Sequence, residues 1–232
     1  MEFSPEGPKA IPLWVNGRAF LTVTESFFDV VNPHSGEAVH RVPLCGAAEA
    51  AEAAGAARAA QPAWAALAPE ARQACLDALA DGLDRYTGHF VKLLRGDTGF
   101  PEAQAQDEVA AALAALRGTA VGEAGVVALV VDATRPLAGF AEAAAPILRA
   151  GGAVIVKPSP KAPAAAFALC ELSGRAAWPP GVLNLMQGDT EAIDGLCCGG
   201  IDRLVYAGNA ALGVQVGAIA DAAGKPYVML AS

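Results

Sequence analysis

Two short apolar runs, Val126–Val131 and Ala153–Val156, flank a segment with helical spacing from Leu137 to Arg149. The runs are β-branched and show no apolar/polar alternation, which predicts strands buried on both faces. Gly151-Gly152 ends the helix between them. Strand, helix and strand in this order predict a βαβ unit with parallel strands and a right-handed crossover. In open α/β sheets ligands are met beyond the carboxyl ends of the strands. Here those positions are Asp132–Arg135 and Lys157–Lys161.

The rest of the chain continues the alternation. Residues 1–9 are rich in Pro, Gly and Glu and predict a loose segment. Asn16-Gly17 predicts a hairpin joining Leu13–Val15 to Ala19–Leu21. Ser26–Val31 and Glu37–Val42 predict two further strands around an Asn32-Pro33, Ser35-Gly36 turn. Ala47–Trp64 reads as an alanine-rich helix whose end Pro62 disturbs. Pro69 opens a long helix that buries Leu76, Leu79, Leu83 and Tyr86 on one face, and Pro101 opens a third. Beyond the central unit come a helix over Pro163–Arg175, a strand over Val182–Met186 and a short helix over Glu191–Cys198. A strand over Arg203–Tyr206, a helix over Ala210–Ala223 and a strand over Tyr227–Leu230 complete the pattern. The prediction is an α/β chain with a five-stranded parallel Rossmann-like sheet, helices on both faces and an N-terminal helical and hairpin segment. It forms one domain over 10–232, with a helical part at 10–121 and the Rossmann-like core at 122–232.

Composition narrows the function classes. The 232 residues are 54% hydrophobic and only 17% charged, so a core of ordinary size is expected. The net charge of −8 and the lack of any basic run argue against nucleic acid or an anionic membrane as partner. No apolar stretch reaches membrane-spanning length, and the N-terminus has no signal-peptide pattern. Five cysteines, at 45, 75, 170, 197 and 198, are odd in number and irregularly spaced. They predict neither a disulfide framework nor a metal site, and suit a reducing, cytoplasmic compartment.

Several motifs then appear in a fixed order: Asn16-Gly17, Asn32-Pro33 with Gly36-Glu37, Asp97-Thr98-Gly99, Glu108-Val109, Val156-Lys157-Pro158-Ser159, Pro179-Pro180-Gly181-Val182-Leu183-Asn184, and Gly208 with Gly213. Together with Trp64 and Arg72, they resemble the N-terminal, NAD(P)-binding half of the aldehyde dehydrogenase superfamily. The resemblance runs from Pro12 to Leu230. Between Glu108-Val109 and the Gly125 strand, members of that family carry strands of an oligomerisation flap; only Ala110–Ala124 intervenes here. A monomer, or an oligomer unlike the family's, is the expectation.

The resemblance implies NAD or NADP as cofactor, held by Lys157, Ser159, Gly188, Gly208, Asn209 and Gly213. The plain alternative for Lys157 is a solvated lysine on a βα loop. Departures from the pattern suggest that the cofactor is held weakly or not at all. Pro160 stands where the family has a ribose-binding glutamate, and Asn209 where it has serine. Catalysis departs further. Thr134 falls at the oxyanion asparagine and Leu230 at the general-base glutamate, and leucine cannot take a proton. The half that carries the nucleophilic thiol has no counterpart in these residues. No other cysteine is a natural substitute, because His34, His40 and His89 all lie in the N-terminal part. Asp132 and Arg135 replace apolar family positions, and are expected to pair with each other or to recognise a different ligand.

Three functions follow from this pattern. The first is a non-catalytic domain with a structural, regulatory or interaction role, partnered by a protein such as a complete aldehyde dehydrogenase. The second is a dehydrogenase half whose catalytic domain another chain supplies. The third is a nucleotide-binding or sensing protein.

Overall fold

A computed structural model describes residues 8–22, 24, 26–176 and 178–231. Its centre is the predicted βαβ unit. Strand β6 (Val126–Val131) runs into helix α5 (Ala138–Arg149), and α5 returns the chain to β7 (Ala153–Pro158). Both strands are buried along their whole length, as their unbroken apolar sequences require. The chain then adds α6 (Ala164–Arg175), β8 (Leu183–Leu185), α7 (Thr190–Cys198), β9 (Arg203–Gly208), α8 (Ala210–Ala222) and β10 (Tyr227–Ala231). All pairings among these five strands are parallel.

The sheet is larger than the sequence pattern predicts. It has seven strands, in the order β10-β9-β6-β7-β8-β2-β3. The two additions are the hairpin strands β2 (Leu13–Val15) and β3 (Arg18–Phe20), with β2 antiparallel to β8. The hairpin turn has Asn16 and Gly17 at φ 52° and 73°, the left-handed pair expected of Asn-Gly. The Asn16 N–H donates to the buried carboxamide of Asn184 at 3.0 Å, and Asn184 in turn donates to the Gly181 carbonyl. This side chain from the Pro-Pro-Gly-Val-Leu-Asn stretch thus fastens the hairpin to the sheet edge.

Alternate strand residues divide the core. Val126, Ala128, Val130, Leu204 and Tyr206 face α7, α8 and α1 (Ala47–Ala65). Val127, Leu129, Val131, Val154 and Val156 face α5 and α6. Behind these lie α2 (Pro69–Arg85), α3 (Thr87–Thr98) and α4 (Glu102–Arg117). Helix α1 runs past Pro62 to Ala65 because Trp64 anchors its last turn. The Trp64 ring is fully buried, stacks on Trp178 at 5.4 Å and donates to the Leu148 carbonyl.

The long helix expected from Pro69 is two helices, α2 and α3. They meet at Tyr86, whose φ of −105° and ψ of 18° leave the helical region. Leu76, Leu79 and Leu83 are buried as expected, but Tyr86 at this corner is exposed. A second, three-stranded sheet has the order β1 (Lys9–Ala10), β5 (Ala38–Pro43), β4 (Phe27–Val31). Lys9 is paired there with His40 and is not part of a loose segment.

Candidate functional site

The strand order sets the position of the site. From β6 the chain steps to β7 and β8 on one side, then returns to place β9 on the other. The crevice beyond the carboxyl ends of β6 and β9 is therefore the topological switch point, where such sheets bind ligands. Asp132 follows β6, and Gly208-Asn209 ends β9. A cavity of about 210 Å³ opens there, lined among others by Val130, Asp132, Lys157, Asp189, Tyr206 and Val216.

Asp132 is buried and lies at the centre of the crevice. Its Oδ1 accepts the Thr134 N–H at 2.8 Å and the Thr134 hydroxyl at 2.5 Å. Its Oδ2 accepts the Tyr206 hydroxyl at 3.2 Å and the Asn209 N–H at 2.6 Å. The expected pairing of Asp132 with Arg135 does not form. Arg135 turns away to Glu142 at 2.7 Å and Glu108 at 3.6 Å. The reason is local: Arg135 precedes α5, and Glu142 stands on that helix within reach of a guanidinium.

Lys157 is not a solvated loop lysine. It is 3% exposed, and its ammonium donates to the carbonyls of Pro158 at 3.0 Å and Gly188 at 2.9 Å. Burial brings its pKa down to about 8, against a smaller opposite effect from Asp189. Gly188, at φ 124°, presents its carbonyl to Lys157, and a Cβ there would crowd the Cys45 backbone. Ser159 accepts the Lys161 N–H through its hydroxyl and lines the same cavity. Asn209 caps α8, its side chain accepting the Ala211 N–H at 2.8 Å. Gly213 faces the sheet, where a Cβ would collide with Met229 and Tyr206. Its role in this fold is helix-on-strand packing.

Leu230 lies on β10, the outermost strand, in register with Ala207. Val228 shares its face of the strand, Met229 packs toward α8 on the other face, and each of the three residues is more than 40% exposed. Burial raises the thiol pKa of Cys45 to about 12 and that of Cys197 to about 11, and pushes Cys75 and Cys170 up as well. None of these four is a ready thiolate. Among the described residues no cluster of His, Cys, Asp and Glu could hold a metal ion.

Tyr206 and Asp189 are the site residues that the sequence pattern does not reveal. Tyr206 occupies an ordinary strand position, and its contact with Asp132 spans 74 residues of chain. Asp189 stands at the N-cap position of α7, and no sequence motif marks it as part of a site.

The aldehyde dehydrogenase family profile matches residues 20–123 and 121–231. The chain belongs to the aldehyde dehydrogenase family. The two matched segments of this aldehyde dehydrogenase chain meet in the short loop between α4 and β6. Glutarate-semialdehyde dehydrogenase of Pseudomonas putida is 28% identical over 228 residues, 88% of this chain and 48% of that protein. 3,6-Anhydro-alpha-L-galactose dehydrogenase of Streptomyces coelicolor is 30% identical over 76% of this chain and 40% of its own length. Lactaldehyde dehydrogenase from Escherichia coli superposes with a TM-score of 0.89 at 23% identity, over 96% of this chain and 52% of that one. Indole-3-acetaldehyde dehydrogenase of P. syringae, solved in complex with NAD+, gives 0.87 at 25% identity, over 95% of this chain and 50% of its own. The chain thus spans about half the length of the relatives it matches.

Proposed function

We propose that this chain is a non-catalytic aldehyde-dehydrogenase-like domain that acts through a protein partner, with NAD or NADP bound weakly or not at all. One observation carries the reading. The position that the family pattern gives to the general base holds Leu230, an exposed apolar side chain. Activating a water for deacylation needs a group that takes a proton, and leucine has none. Thr134 supports the same reading, because its hydroxyl donates to Asp132 and is not free for an oxyanion. The free cysteines suit the reducing environment of the cytoplasm.

The partner surface is the β10 edge. Among the described residues β10 ends the sheet; such edges pair readily with another strand, and Val228 and Leu230 add exposed apolar area to this one. The partner we propose is a complete aldehyde dehydrogenase, a protein that contains this same fold.

The test has two arms. The purified chain is mixed with NAD+ or NADP+ and a panel of aldehydes, and no reduced cofactor is expected. Steady turnover would overturn the reading. The chain is then run by size exclusion with a complete aldehyde dehydrogenase encoded in the same genome. Co-elution that Val228→Lys abolishes supports the partner. Turnover that appears only in the mixture, and needs this chain, would instead make it an enzyme half.

A further inference from the structure

We propose that Asp132 is an internal anion that closes the mouth of the sheet to phosphate-bearing ligands and leaves the adjoining cavity to uncharged or cationic ones. The inference deepens the proposed function and rests on it only in treating this crevice as the family's cofactor site.

A helix N-terminus offers a bound anion unpaired N–H groups and the positive end of the helix dipole. At α8 two of these N–H groups are already in use. The Asn209 N–H donates to Asp132 Oδ2 at 2.6 Å, and the Ala211 N–H donates to the Asn209 side chain at 2.8 Å. The carboxylate therefore holds the place that a phosphate oxygen would need.

The backbone accommodates this arrangement. Gly208, at φ 147°, lies against the Asp132 carboxyl group so closely that any Cβ there would overlap it. The four donors on Asp132 come from three segments: the loop after β6, strand β9 and the start of α8. A carboxylate held by so many donors is not displaced by side-chain rotation without leaving several polar groups unpaired.

The surroundings add one positive charge, and it is tied to the main chain. Among the described residues Asp132 forms no ion pair. Lys157, the cation of the cavity, has two of its N–H groups committed to main-chain carbonyls. Asp189 contributes a second carboxylate to the lining. A phosphate entering here would meet two carboxylates against one ammonium, which has a single N–H left to offer. An uncharged ligand would meet Val130, Val216 and the Tyr206 ring without that repulsion.

The test uses ADP and adenosine, which share a nucleoside and differ in the phosphates. Calorimetric titrations compare the wild type, Asp132→Ala and Asp132→Asn, with circular dichroism as the check on folding. Asp132→Ala is expected to bind ADP about tenfold tighter or more than the wild type, with adenosine affinity changed by less than about threefold. Asp132→Asn keeps the side-chain volume and removes the charge, so it should gain ADP affinity in the same direction. A folded Asp132→Asn with no gain for ADP would overturn the proposal, as would a wild type that already binds ADP as tightly as either variant. Neither result bears on the absence of aldehyde turnover, which is read on the wild type alone.

Discussion

The Lys157 ammonium donates to the Gly188 carbonyl at 2.9 Å, tying the end of β7 to the loop before α7. Two residues expected to hold a cofactor are thus bonded to each other. Lys157→Met removes the donor and leaves the Gly188 and Pro158 carbonyls short of a partner. The expected cost is about 1–3 kcal/mol in urea denaturation.

The same variant has a pH signature. Burial depresses the folded pKa of Lys157 from 10.5 to about 8. A depressed pKa contributes stability that is fully present above the unfolded pKa and is lost as pH falls through the folded one. Wild-type stability should therefore rise between about pH 8 and 10.5 relative to Lys157→Met. Thermal melts of both proteins across that range check it, and parallel curves would contradict the assignment.

Asp97 makes the opposite case. It is buried, and its Oδ2 accepts the Ala164 N–H at the start of α6. Its Oδ1 has no hydrogen-bond partner and lies 3.7 Å from His40 Nε2. That separation would admit an ion pair. Burial, however, raises Asp97 to about 7 and lowers His40, so both groups are driven toward their neutral forms. For a raised carboxylate pKa, the contribution is complete below 3.8 and lost as pH rises through about 7. Asp97→Asn keeps an acceptor for Ala164 and cannot ionise. Its stability relative to the wild type should climb across that window, with a slope of at most about 1.4 kcal/mol per pH unit. Denaturation at several pH values measures the slope, and a flat difference would refute it.

What was legible in the sequence follows from how local each signal is. Strands β6 and β7 are readable because buried strands are continuous apolar runs. The hairpin was readable from Asn16-Gly17, but its attachment to the sheet was not, because that depends on Asn184, 168 residues away. The break at Tyr86 is not legible in the sequence, because no proline stands there and the leucines on either side keep helical spacing. At the site, the residue types could be read but their partners could not. Asp132 meets Asn209 across 77 residues, and no periodicity encodes that contact. Lys157 could be read as a strand-end cation, yet its burial depends on the loop at Gly188.

Arg149 offers a test of the packing between the two halves of the chain. It is buried at the end of α5 and donates to the Ala115, Leu116 and Ala120 carbonyls and to Gln73. These carbonyls belong to the last turn of α4 and the loop after it, where the regular helical donors run out and the Gly118 N–H reaches back only to Ala115. Arg149→Ala should cost about 3 kcal/mol, through the loss of the four hydrogen bonds that its buried guanidinium donates. Arg149→Lys should recover less than half of that, since an ammonium cannot span the positions a planar guanidinium reaches. Hydrogen exchange should show the added opening concentrated in residues 115–120.

The seat of Asp132 can be tested through Gly208. Gly208→Ala places a Cβ where the carboxylate lies and forces a side chain onto a backbone at φ 147°. Both effects destabilise, by about 2–4 kcal/mol together. Only the overlap depends on Asp132, so Asp132→Gly in the same chain should relieve that part and leave the backbone strain. The double variant is then more stable than the sum of the two single changes predicts, by about 1 kcal/mol or more. Additive losses in urea denaturation would mean that the carboxylate moves aside without cost. In that event the hydrogen bonds of Asp132 to Asn209 and Tyr206 could not be what holds it in the turn.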